Sequence, residues 1–166
     1  MASTLTPAQA EALLYREARL LDTRQLDEWQ TLFTEDGIYW IPIDETKPIS
    51  ENASLIYDSP ARRDERVYHL LHTVFPAQTP PSRLLHFINN VEVEEKGEGR
   101  ALILSNQIIY ETRLGDFSQY GLGELRPIVA TMRHEMRLEG GAWKIAMKQI
   151  LLINREMPQG NLTFII

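Results

Sequence analysis

The chain has 166 residues, 43% of them hydrophobic, which suits a single compact domain over residues 1–166 that buries about two thirds of its unfolded surface. Its net charge of -6 and its scattered Lys and Arg residues argue against nucleic acid or an anionic membrane as a partner. It has no cysteine, which excludes disulfides, thiolate nucleophiles and cysteine-ligated iron–sulfur or zinc sites within this chain.

Residues 11–42 predict two amphipathic helices that run directly into an apolar strand. Thr6 can cap the first helix, Pro7 suits its first position, and Gln9 completes a capping box. Apolar side chains then recur at helical spacing, at Ala10, Leu13, Leu14, Ala18 and Leu21.

A second short helix follows a break at Asp22 and Thr23. Its apolar side comprises Leu26, Trp29, Leu32 and Phe33. We expect Gly37 to end this helix, because glycine readily adopts the positive φ of a helix C-terminus. The β-branched and aromatic run at 38–41 then predicts a strand, which Pro42 closes.

A polar stretch at 44–53 predicts a surface loop, and residues 54–57 predict a short strand. Ser59 and Pro60 then repeat the cap-and-proline start, so a third helix is predicted through His72. One side of this helix is strongly charged. The prolines that follow predict an extended loop up to Arg83.

Long strands dominate the rest of the chain. Four runs alternate with a period of two and are separated by glycine-bearing turns or loops, at 83–95, 100–113, 125–138 and 143–154. In the first run, alternation places Leu85, Phe87, Asn89, Val91 and Val93 on one face, opposite His86. Helices followed by such strands predict an α+β domain in which a curved, mainly antiparallel sheet wraps around the N-terminal helices.

Four side chains are candidates for a pocket: Asp36, Tyr39, Tyr57 and His86. His86 could act as a general base if it faced a pocket, and the alternative is a hydrogen-bonded structural histidine. Asp36, Tyr39 and Tyr57 could form a polar cluster at a cavity mouth. Alternatively, Asp36 could lie at a helix terminus and the two tyrosines could pack in the core. No set of nucleophile, base and orienting group can be assembled, so no catalytic residue is assigned.

Other histidines and glycines carry weaker signals. Glu65, His69 and His72 share a helical spacing that could face one cation, although an ordinary helix surface has the same pattern. His134 lies on an apolar strand face and is interpreted as a satisfied core histidine. The glycines at 121 and 123 lack the third glycine of a dinucleotide fingerprint and indicate a loop within 115–123. We assign no metal-binding or cofactor-binding residue.

Arginines on the third helix and after the proline loop are candidates for a partner interface. They are Arg62, Arg63, Arg66 and Arg83. Extended loops such as the proline loop often contact partners. The alternative is that the arginines of the third helix lie on a solvated face.

The sequence shows no pattern typical of a targeting signal or a membrane span. The N-terminus has no basic region followed by an apolar run, and no segment is long and apolar enough to span a bilayer. We therefore expect a soluble cytoplasmic protein that contacts neither membrane nor nucleic acid.

Four blocks of the sequence resemble one known family. The blocks LLYREARLLDTRQLDEWQTLFTEDGIYWIP, LIYDSPARRDERV, AWKIAMKQILLIN and GNLTFII are similar to the small (beta) subunit of aromatic-ring-hydroxylating dioxygenases. The resemblance spans nearly the whole chain, and the first block is the most specific. Such subunits usually carry a glycine-arginine-arginine motif before the penultimate strand, where this chain has GELRP at 123–127.

The resemblance implies a nuclear transport factor 2-like (cystatin-like) cone and a partner. In this family the large (alpha) subunit holds the Rieske cluster and the mononuclear iron and oxidises the arene. The small subunit supports a hexamer of three large and three small chains, with the small chains in a trimer. A Rieske centre needs two cysteines and two histidines, so this chain cannot hold it. The resemblance thus implies a structural subunit in aromatic compound catabolism.

Two alternative hypotheses remain open from sequence. One is a stand-alone isomerase, dehydratase or cyclase of the same cone fold, with His86 or Asp36 as base and a small apolar substrate. That hypothesis requires an enclosed, ligand-sized pocket with a titratable group at its base. The other is a non-enzymatic scaffold with other partners.

Overall fold

Helices and strands follow the order that the sequence predicts. The computed structural model describes residues 4–115, 121–160 and 162–166, so part of the predicted 115–123 loop lies outside the described residues. The helices are α1 (Pro7–Asp22), α2 (Leu26–Gln30) and α3 (Pro60–His72). The strands are β1 (Phe33–Pro42), β2 (Ser54–Asp58), β3 (Arg83–Glu95), β4 (Arg100–Thr112), β5 (Leu125–Glu139) and β6 (Ala142–Leu152). Short 3-10 turns lie at Ile49–Glu51 and Pro76–Gln78.

The six described strands form one sheet in the order β2-β1-β6-β5-β4-β3. The four long strands pair antiparallel with their chain neighbours, which confirms the prediction for the second half of the chain. β1 pairs antiparallel with β2 but parallel with β6. The first strand therefore lies beside the last, and this long-range pairing gives the sheet its mixed character.

The helices pack on one face of the sheet, which we call the inner face. α1 begins with the predicted capping box, in which the Gln9 amide donates to Thr6 Oγ1 at 3.3 Å and the Thr6 amide donates to Gln9 Oε1 at 2.9 Å. The core between α1, α2 and the inner face is apolar; its buried members include Leu14, Leu21, Trp29, Ile103, Ile109, Met132, Met136, Ile145 and Ile150. Burial of this apolar area drives the helices onto the sheet.

Gly37 does not end a helix, which corrects the sequence prediction. α2 ends at Gln30, and β1 already begins at Phe33 with Gly37 inside it. A Cβ at position 37 would lie 2.8 Å from the carbonyl oxygen of Ile145 and 3.0 Å from the Phe33 ring. Glycine is needed here because β6 approaches the backbone closely, not because of a positive φ.

A bulge in β3 overturns the predicted single face of that strand. The pairing of β3 with β4 shifts between Asn89 and Glu92, and Asn90 has a φ of 53°. Before the bulge, Leu85 and Phe87 point away from the helices and expose 54% and 48% of their surface. After the bulge, the valines at 91 and 93 pack against the core instead. The extra residue reverses the alternation, which sequence periodicity cannot reveal.

Replacing Trp29 tests the core. Trp29 is fully buried and packs edge-on against Phe33 and Tyr39, with ring centroids 4.9 and 6.0 Å away. We expect Trp29→Ala to lower the free energy of unfolding by about 3–5 kcal/mol, through lost burial and the cavity left behind. Urea titration followed by circular dichroism measures the change. Tyr15→Ala, on the exposed side of α1, should change it by less than about 0.5 kcal/mol. Equal stability of both variants would contradict the core position of Trp29.

Candidate functional site

A cluster of charged side chains lies in the middle of the apolar core. The Glu17 carboxylate has its Oε1 atom 2.9 Å from Lys148 Nζ and accepts a hydrogen bond from Trp29 Nε1 at 3.1 Å. Its Oε2 atom lies 2.9 Å from His134 Nε2. The three ionisable side chains are buried. We call Glu17, Trp29, His134 and Lys148 the core polar cluster.

Three elements bring the core polar cluster together. Glu17 projects from the buried side of α1, while His134 on β5 and Lys148 on β6 are cross-strand partners on the inner face. Burial by itself would raise the pKa of Glu17, but the charges and hydrogen bonds of Lys148 and His134 hold it well below its ordinary value. Glu17 is therefore ionised, and its oxygens are engaged by three donors, so it clamps α1 to the sheet.

Of the charged residues Glu17, His134 and Lys148, only His134 was predicted from the sequence to lie in the core. His134 is confirmed as a core histidine, although its Nδ1 atom has no hydrogen-bond partner among the described residues. Glu17 and Lys148 were missed. A signal existed for both, because Glu17 falls on the helical face of Leu14 and Leu21 and Lys148 alternates in phase with the buried residues that follow it on β6.

Packed side chains, rather than a ligand-sized space, fill the described interior. Trp29 and Tyr39 are fully buried in the core between the helices and the sheet. A cavity of about 30 Å³ is present beside Asp22, Gln78 and Ser82, and it has room for one water molecule. The larger grooves are open to the outside. The requirement of the stand-alone enzyme hypothesis is therefore not met in the described part of the chain.

Asp36, Tyr39 and Tyr57 do not meet at a cavity mouth, which corrects that interpretation. Asp36 is exposed and accepts hydrogen bonds from Arg137 at 2.9 and 3.1 Å; these bonds and one from Thr34 lower its pKa to about 2. Tyr39 is fully buried, which raises its pKa, and its hydroxyl accepts from the Ile166 amide at 3.1 Å. Tyr57 is half-buried on β2, at the edge of the sheet.

His86 is held by a carboxylate. Its Nδ1 atom lies 2.6 Å from Asp22 Oδ1, its amide donates to Asp22 Oδ2 at 3.2 Å, and its side chain is 1% exposed. Asp22 thus ties the end of α1 to the outermost strand, β3. This placement matches the hydrogen-bonded structural histidine rather than a base that faces a pocket.

The charged side of α3 is partly buried, so two of the candidate interface arginines have internal partners. The Arg63 guanidinium donates to the Gly37 carbonyl oxygen, lies 4.3 Å from the Phe33 ring centroid, and has its pKa lowered by burial. Arg66 donates to Asp58 at 3.0 Å. Placing Arg63 on the surface was therefore wrong, and Arg62 is the exposed arginine of the three.

The histidines of α3 do not converge on one point. His69 Nε2 lies 3.8 Å from Glu65 Oε1, whereas the His72 ring packs against the Tyr68 ring with a centroid distance of 5.2 Å. Among residues 4–115, 121–160 and 162–166, no group of three or more His, Asp or Glu side chains is arranged to hold a metal ion.

Two of the open grooves on the surface are lined by exposed apolar side chains. A groove of about 640 Å³ runs along α3, lined by Arg62, Leu70, Phe75 and Val74, which is 83% exposed. A second, apolar groove of about 330 Å³ lies on the opposite face of the sheet from the helices. Its lining residues include Arg83, Leu85, Phe87, Tyr110 and Leu125. Within the described residues, no helix is long and apolar enough to cross a membrane.

Comparisons with known proteins agree on one family. The ring hydroxylating beta subunit family matches this chain over residues 16–159. The small oxygenase component of the p-cumate 2,3-dioxygenase system of Pseudomonas putida is 31% identical, over 99% of this chain and 89% of its own length. The crystal structure of the beta subunit of the benzoate 1,2-dioxygenase of Burkholderia mallei is similar with a TM-score of 0.72 and 25% identity, over 98% of this chain and 99% of that chain.

A more distant structure confirms the fold. A protein with a cystatin-like fold from Nostoc punctiforme aligns with a TM-score of 0.56 and 16% identity, over 91% of this chain and 93% of that chain. At this identity the likeness concerns the fold alone. It confirms the predicted cystatin-like α+β architecture.

Replacing Glu17 tests the core polar cluster. Glu17→Gln leaves the ammonium of Lys148 buried without its carboxylate, so we expect the free energy of unfolding at pH 7 to fall by about 3–5 kcal/mol. The depressed pKa of Glu17 adds a pH dependence: its ionised form stabilises the fold above the ordinary pKa of 4.5, and this contribution is lost as the pH falls below that value. The wild-type chain should therefore lose more stability than Glu17→Gln between pH 7 and pH 3.

Denaturant titrations at several pH values measure both effects. Glu28→Gln is the matched control, because Glu28 pairs with Arg16 on the surface and about half of each side chain is exposed. If Glu17→Gln were as mild as Glu28→Gln, the clamp between α1 and the sheet would be refuted.

Proposed function

The chain belongs to the ring hydroxylating beta subunit family and is the small subunit of the terminal oxygenase of an aromatic-ring dioxygenase; from this we propose that it carries no catalytic group and supports catalysis by the large subunit. The packed interior is the observation that carries this proposal. Trp29 and Tyr39 fill the space that an enclosed active site would need, and the carboxylate of Glu17 is engaged by three donors.

The described residues of this chain do not fit the iron centres of such an oxygenase. A Rieske cluster takes two cysteine and two histidine ligands, and the sequence contains no cysteine. No candidate metal-binding group is found in the described residues. Our proposal therefore assigns the Rieske cluster and the mononuclear iron to the large subunit, together with oxidation of the arene.

The proposed assembly is a hexamer of three large and three small chains, in which the small chains form a trimer. Beta subunits of this kind pair with large subunits, and the groove along α3 is our candidate for that contact. Arg62 supports this choice because it makes no ion pair in the described residues. Val74 lines the same groove and is almost fully exposed, and an exposed apolar surface indicates an interaction site. Arg66 lines the groove but is already bound to Asp58.

Co-expression with the large subunit tests the role of the chain. We expect the two chains to co-purify in equal numbers, and we expect the large subunit expressed alone to show reduced oxygenation of benzoate and p-cumate, probe substrates taken from the names of the relatives. Sedimentation and product analysis give the two readouts. Two separate species, with full activity of the large subunit alone, would refute the proposal.

Replacing Asp36 tests whether the chain supplies a base. Asp36→Asn removes the exposed carboxylate that sequence analysis considered, and we expect the turnover number of the assembled complex to stay unchanged. A general base would lose about 100-fold or more on this substitution. Rates must be normalised to the amount of complex, because the ion pair with Arg137 is also lost. Retained assembly with a loss of that size would identify Asp36 as catalytic and contradict the proposal.

A further inference from the structure

A cleft of about 350 Å³ opens across β4, β5 and β6 on the outer face of the sheet, the face that points away from the helices. Four basic side chains and one acidic side chain line it, a net charge of +3, although the whole chain has a net charge of -6. They are Lys96, Arg100, Arg133, Arg137 and Glu135. Basic groups concentrated in one cleft of an acidic chain indicate a site for an anion.

Two of the four cations already have partners, and two do not. Lys96 Nζ lies 2.5 Å from Glu94 Oε2, and Arg137 is paired with two carboxylates, the nearer 2.9 Å away. Arg100 and Arg133 are exposed, and neither side chain has a hydrogen bond or an ion pair with any residue that the structure describes. Their guanidinium groups are therefore available to a ligand.

A β-bulge shapes the floor of the cleft. The pairing of β5 with β6 shifts between Glu135 and Met136, so Ala146 has no partner across the strands. Bulges bend a strand and occur often beside functional sites. Ala146 has only a methyl group to fill the bend. Leu102 is paired with Glu135 on the other side of β5, and it is only 4% exposed although it belongs to the outer face. The floor is therefore apolar.

The register of β4 and β5 places the two free arginines at opposite ends of this floor. Arg100 pairs with Arg137, and Leu104 pairs with Arg133, so four residues separate the two arginines along the strands. At about 3.4 Å per residue, their backbones are about 14 Å apart in this direction. Long guanidinium side chains from both ends can reach a ligand that lies between them.

We propose that this cleft binds a small organic carboxylate, with its apolar part on Leu102 and Ala146 and its carboxylate bound by Arg100 and Arg133. A guanidinium presents parallel N–H donors that match the two oxygens of a carboxylate. Ligand pockets span about 300–1,000 Å³, so the cleft suits a molecule the size of one ring. The site is independent of the proposed function, because this chain alone forms it.

Glu135 limits the affinity of the cleft for an anion. It lies opposite Leu102, two residues from Arg133, and its carboxylate has no hydrogen-bond partner in the described part of the chain. Its charge repels a bound carboxylate. Glu135→Gln should therefore raise the affinity about fivefold, the effect of one unit charge at about 4 Å in water. A side chain outside the site would not have this effect.

Benzoate, benzamide and inorganic phosphate separate the features of the site. Benzoate has a ring and a carboxylate, benzamide has nearly the same shape without the charge, and phosphate has the charge without the ring. Each is titrated at constant ionic strength into the isotope-labelled full chain and followed by nuclear magnetic resonance. We expect benzoate to shift the amide signals of residues 100–102, 133–137 and 146, and the other two to bind about tenfold more weakly or less. Phosphate or benzamide binding as tightly as benzoate would overturn the inference.

Matched substitutions locate the bound carboxylate. Arg133→Gln should weaken benzoate binding about tenfold or more, because it removes charge-assisted hydrogen bonds. Arg19→Gln removes the same charge from an exposed position on α1 and should leave the affinity unchanged. Ala146→Leu should weaken benzoate binding without any change of charge, because the larger side chain fills the floor. Equal benzoate affinity of Arg133→Gln and Arg19→Gln would overturn the inference.

The assembled complex gives an independent test. Para-azidobenzoate is activated by light on the small chain alone and again after the large subunit is added, and the labelled peptides are identified by mass spectrometry. We expect label at the lining residues of the cleft in both samples, with competition by benzoate and none by benzamide. Label that disappears from the cleft in the complex would assign it to a contact between chains and overturn the inference. Failure to assemble would refute the proposed function, and the titration of the small chain would still decide whether the cleft binds a carboxylate.

Discussion

The buried carboxylate of Glu17 is the constraint on which the rest of the structure depends. A carboxylate is stable in an apolar interior only when charges and donors surround it, so Lys148, His134 and Trp29 must reach one point. Those partners come from α2, β5 and β6, and Glu17 itself comes from α1. The cluster therefore fixes how α1 lies across the sheet, because a shift of the helix by one turn would leave a buried charge unpaired.

The same cluster helps to fill the interior formed by the described residues. Trp29 of α2 donates a hydrogen bond to Glu17 of α1 and packs against Phe33 and Tyr39 of β1, and the described core is closed around these rings. A cystatin-like cone can in principle hold a ligand between helix and sheet. In the described part of this chain, polar contacts and aromatic packing take up that space.

Two local features determine how β3 is held and which of its side chains face outward. Asp22 binds the amide and the ring of His86, which secures the outermost strand to the end of α1 and blocks one of its free backbone donors. The bulge at Asn90 then changes which side chains of β3 face outward. The bulge leaves Leu85 and Phe87 exposed on one side of the sheet and packs Val91 and Val93 against the core on the other.

Sequence by itself determined the elements, the fold class and the family. The capping box at Thr6, the apolar periodicity of α1 and the alternation of the four long strands are local patterns, so neighbouring residues suffice to recognise them. Tertiary structure alone decided the rest. Gly37 is required by the approach of β6, Arg63 is buried by its contact with Phe33, and Glu17 meets Lys148 across 131 positions of sequence. These contacts depend on pairing β1 with β6, packing α3 on β1 and packing α1 on the sheet, and their energy is set by residues that no local window contains.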